Sequence, residues 1–100
     1  MLMKQIGVDY VRQILAEVVS NYEGKMAMRA PDNKLLKMNL RTDFGLDSLD
    51  IEDMCDTISN DYGVIVDLYG HHPLGHYSFE SKATVENFIE TVNYFLEQED

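Results

Sequence analysis

The chain contains one cysteine and two prolines in 100 residues. A single thiol, Cys55, excludes an internal disulfide framework and leaves no thiolate cluster for structural zinc. Long apolar runs are missing, and none approaches the ~18–20 residues that cross a bilayer. The opening Met1-Leu2-Met3-Lys4-Gln5-Ile6 lacks the apolar stretch and small-residue cleavage site of a secretory signal. Basic side chains are scarce too: eight Lys and Arg stand against eighteen Asp and Glu, a net charge of −10. An acidic surface repels phosphate backbones, which argues against nucleic acid and anionic membranes as partners. The expectation is a soluble, cytoplasmic protein without a membrane span.

What remains is ordinary globular material, 45% hydrophobic and 26% charged. At this length residues 1–100 form one domain with one core. The charge is lopsided. Residues 1–41 carry seven basic and four acidic side chains, whereas residues 42–100 carry one basic and fourteen acidic. Partners with basic faces, bound in a salt-sensitive way, fit that second stretch.

Three segments repeat apolar residues with helical period. Val11, Ile14, Leu15, Val18, Val19 and Tyr22 form one stripe, with Asp9 as a start signal and Gly24 as a stop. Ile51, Met54, Cys55, Ile58 and Tyr62 form a second, ended by Gly63. Val85, Phe88, Ile89, Val92 and Leu96 form a third, with Thr84 as its N-cap. No segment reads convincingly as a strand. Residues 63–69 are apolar but find no partner of comparable pattern, so Ile65 or Val66 is expected to close the bottom of a helical core. Ala30-Pro31-Asp32-Asn33 signals a turn, after which Leu35 to Leu40 can lay apolar side chains over the bundle. Residues 67–83 hold Gly70, Pro73 and Gly75 and resist a long helix, so a short helical turn is expected inside them.

The segment most informative about chemistry is Thr42-Asp43-Phe44-Gly45-Leu46-Asp47-Ser48-Leu49-Asp50. Gly45 allows a sharp approach to the second helix, and Asp47 or Ser48 can cap it. Ser48 then sits where unpaired N–H groups and the helix dipole favour a negative group. Taken alone, Asp-Ser-Leu is an ordinary capping tripeptide. A catalytic serine is disfavoured, because Leu46-Asp47-Ser48-Leu49-Asp50 lacks both glycines of a nucleophile elbow and no base adjoins it.

Gly45-x-Asp47-Ser48-Leu49 followed by an acidic helix resembles the acyl carrier protein family. Met54, Ile58, Tyr62 and Val66 fall at that family's apolar positions, and Thr84-Val85 onward resembles its last helix. The resemblance spans roughly residues 5–23, 40–66 and 83–97. It implies an all-α, four-helix bundle with a short or distorted third helix. It also implies that the protein is not an enzyme and works as a monomer. Ser48 would carry 4′-phosphopantetheine, flanked by Asp47 and Leu49, on which acyl intermediates travel as thioesters in fatty-acid, polyketide or related lipid synthesis. Phe44, Leu49 and Met54 would support the serine's helix and line a cavity near the arm. A phosphopantetheinyl transferase would load it. That enzyme and acyl-chain synthases or acyltransferases would dock basic patches on Asp47, Asp50, Glu52, Asp53 and Asp56.

Two features depart from the family pattern. Glu52 and Asp56 replace apolar residues on the exposed side of the second helix, which points to a dedicated pathway. Residues 67–83 are longer and more aromatic than a short third helix, and Leu68, Tyr69, Leu74, Tyr77 and Phe79 either enlarge a cavity or repack the core. His71, His72 and His76 match no firm zinc spacing, so no metal is expected. Cys55 lies on the apolar stripe and reads as buried filler. Two alternatives stay open: a peptidyl or aminoacyl carrier, and an unmodified carrier-like module that binds a basic partner.

Overall fold

A computed structural model of the protein describes residues 5–68 and 82–98. Among these, the chain is mostly helical, with five helices and no strand: α1 (Val8–Val18), α2 (Tyr22–Ala27), α3 (Asp32–Leu35), α4 (Ser48–Tyr62) and α5 (Val85–Gln98). None of them is long and apolar enough to cross a membrane.

The three long helices bury the stripes that the periodicity marks. Val11, Ile14 and Leu15 of α1, Ile51, Met54, Cys55 and Ile58 of α4, and Val85, Phe88, Val92 and Leu96 of α5 form one buried cluster. Burying each such side chain is worth ~1.5–3 kcal/mol. Helix α1 packs against both α4 and α5. Its edges are pinned by polar contacts. The Tyr10 hydroxyl donates to Asp61 Oδ2 at 2.5 Å, and the Tyr10 ring meets Tyr62 edge-on at 5.8 Å. Burial, then the Asp61 carboxylate, holds the Tyr10 phenol well above its ordinary pKa. At the chain's start, the Asn93 side chain accepts from Ile6 N at 2.7 Å and donates to Ile6 O at 3.1 Å, clipping that segment to α5.

The first helix differs from its sequence reading. Its apolar stripe continues to Tyr22, but the helix ends at Val18, and Val19 turns to extended backbone. Asn21 then caps a separate helix, α2, by accepting from Gly24 N. Gly24 is therefore no helix stop. It lies buried inside α2, where an added Cβ would stand 2.7 Å from Val19 Cγ1 and 2.9 Å from the Phe44 carbonyl oxygen. The absence of a side chain is what lets α2 rest on that backbone. Asp9 lies in the first turn of α1, and Gly7 takes the N-cap.

The long connection between α2 and α4 is structural. Leu35 and Leu40 are fully buried, as the pattern of that segment led us to expect. Its carbonyls also satisfy the orphan donors at the start of α5: Val85 N donates to Met38 O and Glu86 N to Leu36 O, both at 2.9 Å. Thr84 Oγ1 accepts from Asn87 N, which makes it the cap that the sequence indicates. An isolated bridge, Asn39 to Thr84, is the only β pairing among the described residues. After α4, Gly63 adopts the left-handed conformation (φ 69°) and ends the helix. Val64, Val66 and Leu68 turn inward, whereas Ile65 points out at 82% exposure. Val66 is thus the residue that closes the core, because side chains alternate along extended chain.

Tyr69, His71, His72, Leu74, His76, Tyr77, Phe79 and the short helical element expected between residues 67 and 83 lie, apart from positions 67, 68, 82 and 83, outside the described residues.

Candidate functional site

Ser48 is the first residue of α4, and it is half-buried. Asp47 immediately before it forms a reciprocal capping box: its Oδ1 accepts from Asp50 N at 2.9 Å, while Asp50 Oδ2 accepts from Asp47 N at 3.1 Å. Two donors at the helix start are thereby satisfied by the neighbours of Ser48. The serine hydroxyl is left out of the cap. Of the two capping candidates, Asp47 takes the role.

The loop that delivers Ser48 is held from within. Asn39 Oδ1 accepts from Arg41 N and Thr42 N, at 2.8 and 3.0 Å, and Asp43 Oδ2 accepts from Asn39 N at 2.7 Å. Leu46 N donates to Leu40 O at 3.1 Å. Gly45 takes φ 71°, the left-handed region in which a side chain is strained. An added Cβ there would also approach Asn21 Nδ2 to 2.6 Å. Phe44 is fully buried under this turn, and its carbonyl accepts from Asn21 Nδ2 at 3.2 Å.

Asn21, Asn39 and Asp43 are positioning residues that sequence reading missed. Asn21 lies off the apolar stripe of the first helical segment, and nothing in its local pattern marks the break after Val18. Replacing Asn21 with Ala removes the α2 cap and the bond to Phe44. We expect a loss of about 1–2 kcal/mol, read from urea unfolding. Asn21→Asp, which keeps the cap acceptor but not the donor, should recover part of that loss.

Helix α4 sets the field around Ser48. Asp50, Glu52, Asp53, Asp56 and Asp61 project from it with no Lys or Arg among its residues. Glu52, Asp53, Asp56 and Asp61 are exposed, as is Asp47, and Asp50 is half-buried. Leu49 is 69% exposed. The reason is angular: Leu49 lies two residues, about 200°, from Ile51 on the buried stripe. Phe44 and Met54 are fully buried in the core.

A groove of about 430 Å³ runs between Glu52, Cys55, Asp56 and Ser59 of α4 and residues 65–68. Ser59 Oγ accepts from Val66 N at 3.0 Å and ties the two sides together. Burial pushes the Cys55 thiol up to about 12, a backbone hydrogen bond from Leu68 opposes that shift, and Asp56, Asp67 and Glu52 add to it. The raised pKa means the folded protein keeps this proton where the unfolded chain releases it. Stability from the protonated thiol is therefore intact below about pH 8.5 and is lost as pH rises toward 12. At pH 8.5 iodoacetamide should alkylate Cys55 at least tenfold more slowly in native protein than in urea, as mass spectrometry would show.

Among the described residues, no group of three or more His, Cys, Asp or Glu side chains is disposed to hold a metal ion. No family model, curated protein or solved structure matches the chain. The functional reading therefore rests on the geometry around Ser48 and on the local motif.

Proposed function

We propose that the protein is an acyl carrier whose Ser48 bears 4′-phosphopantetheine. One observation carries this: a half-buried serine, left out of a complete capping box, opens an acidic helix at the end of an internally hydrogen-bonded loop. The fit to a phosphodiester is electrostatic and steric. The first turn of α4 directs its N–H groups and positive dipole end toward Ser48. Ser48 is half-buried rather than enclosed, which leaves part of it within reach of a visiting enzyme. Helices α1, α4 and α5 match in number and length the long members expected of a carrier-type bundle.

Ser48 Oγ attacks the phosphorus next to the pantetheine of coenzyme A on a separate transferase. The pyrophosphate P–O bond breaks, adenosine 3′,5′-bisphosphate leaves, and the serine proton passes to a base of that enzyme. The attached arm supplies a terminal thiol that holds acyl groups as thioesters. The chain's own residues provide the address: Asp47, Asp50, Glu52, Asp53 and Asp56 meet basic patches on the transferase and on acyl-chain synthases or acyltransferases. Each exposed pair is worth ~0.2–1 kcal/mol, so several give reversible docking suited to a shuttle.

The test is direct. Incubation with a broad-specificity transferase, Mg²⁺ and coenzyme A should raise the intact mass by one phosphopantetheinyl unit. If the mass stays unchanged with several transferases, the carrier reading falls and the unmodified interaction module replaces it. Aminoacyl- and acyl-activating enzymes, offered in parallel to the loaded protein, separate an acyl carrier from a peptidyl one.

A further inference from the structure

The groove beside α4 lies on the same face of that helix as Ser48. At about 100° per residue, Ser48, Glu52, Cys55 and Ser59 fall within an arc of about 60°, and the last three of them line the groove. Glu52 stands one turn along from the serine, and Ser59 lies about 16 Å from it down the axis. The opposite wall is residues 65–68, tied to α4 where Val66 N donates to Ser59 Oγ at 3.0 Å. A partner of standard size covers ~800 Å² of each protein, a patch roughly 30 Å across. An enzyme that reaches Ser48 and lies along α4 therefore covers both walls.

The composition of the groove selects its occupant. Cys55, Val66 and Leu68 are buried and give it an apolar floor. Glu52 and Asp56 on one wall and Asp67 on the other are exposed carboxylates. Residues 42–81, which include both walls, contain no Lys or Arg. Ile65 stands on the far wall at 82% exposure, although Val64 and Val66 on either side of it are buried. An apolar floor rimmed by carboxylates suits a Lys or Arg side chain, which lays its aliphatic stem on apolar surface and carries its charge at the tip. Ile65 offers an apolar contact beside it.

We propose that Ile65 and the groove it borders are the apolar anchor of the docking surface around Ser48. The occupant is a basic, amphipathic segment of the loading transferase. One Lys or Arg of that segment lies in the groove, and an apolar neighbour covers Ile65. The footprint thus runs past α4 onto residues 65–67. This inference rests on Ser48 being the attachment site.

Ile65→Ser leaves the net charge at −10, so general attraction to a basic enzyme is the same in variant and wild type. With a broad-specificity transferase, Mg²⁺ and coenzyme A, its KM should rise about fivefold with kcat unchanged, and the rise should persist in high salt. Ile65→Val keeps a β-branched apolar side chain and should stay within about twofold of wild type. Glu52→Gln with Asp67→Asn should raise KM by a factor that shrinks in high salt. A second measurement needs no variant. Transferase titrated into ¹⁵N-labelled wild type without coenzyme A should shift the amides of residues 65–67 along with those of α4. Shifts confined to residues 47–53, or a KM for Ile65→Ser within twofold of wild type, overturn the proposal. Self-association of the wild type, seen by sedimentation and lost in Ile65→Ser, would assign the face to a second copy and also overturn it. Wild-type protein that accepts no phosphopantetheine removes the underlying reading, whereas normal loading of Ile65→Ser removes this inference alone.

Discussion

Ser48→Ala should eliminate phosphopantetheine loading completely while leaving the fold in place. The hydroxyl is the one atom through which the phosphodiester can form, so no partial activity is expected, in contrast to the graded effect of removing a docking charge. The fold should hold because the hydroxyl is not what starts α4. Asp47 and Asp50 satisfy each other's backbone N–H groups, and the buried stripe of α4 begins at Ile51. Alanine is also a better helix former than serine at such a position. The melting curve of Ser48→Ala should therefore stay within about 0.5 kcal/mol of wild type. Persistent mass gain in the variant would place the attachment elsewhere. A collapsed melt would mean that Ser48 is a structural residue and that its exposure is incidental.

Much of this arrangement was legible in the sequence, for reasons that can be traced residue by residue. Helix α4 was readable at both ends, because Asp47 and Gly63 are strong local signals and Ile51, Met54, Cys55 and Ile58 fix its face. The cap at Thr84 and the left-handed turn at Gly45 were readable in the same way. The break after Val18 was not. Val19 stays buried at the break itself, so the apolar period runs through it undisturbed. What ends the helix is tertiary: Gly24 packs on the Phe44 carbonyl and Asn21 bonds to it, and both contacts join residues about twenty positions apart. The choice between Ile65 and Val66 was undecidable for a related reason, since it depends on where the chain leaves Gly63. The exposure of Leu49 was readable from helical angle alone.

The same tertiary junction makes Phe44 the most sensitive position in the loop that carries Ser48. Its side chain is fully buried, and its backbone oxygen lies against Gly24 while accepting from Asn21. Phe44→Ala removes a large, fully buried aromatic side chain from the core and leaves a cavity behind. A cost of ~3–5 kcal/mol follows. Domains of this size hold only ~5–15 kcal/mol in total, so the variant forfeits roughly a fifth or more of its stability. At roughly 4–8 °C per kcal/mol, the Tm should fall by at least about 12 °C. Phe44→Leu keeps most of the volume and should recover more than half of that loss. Leu49→Ala, five residues on but exposed, should shift the Tm by no more than about 4 °C. Near-equal melts for Phe44→Ala and Leu49→Ala would show that Phe44 does not anchor the turn, and the account of how Ser48 is held in position would fail with it.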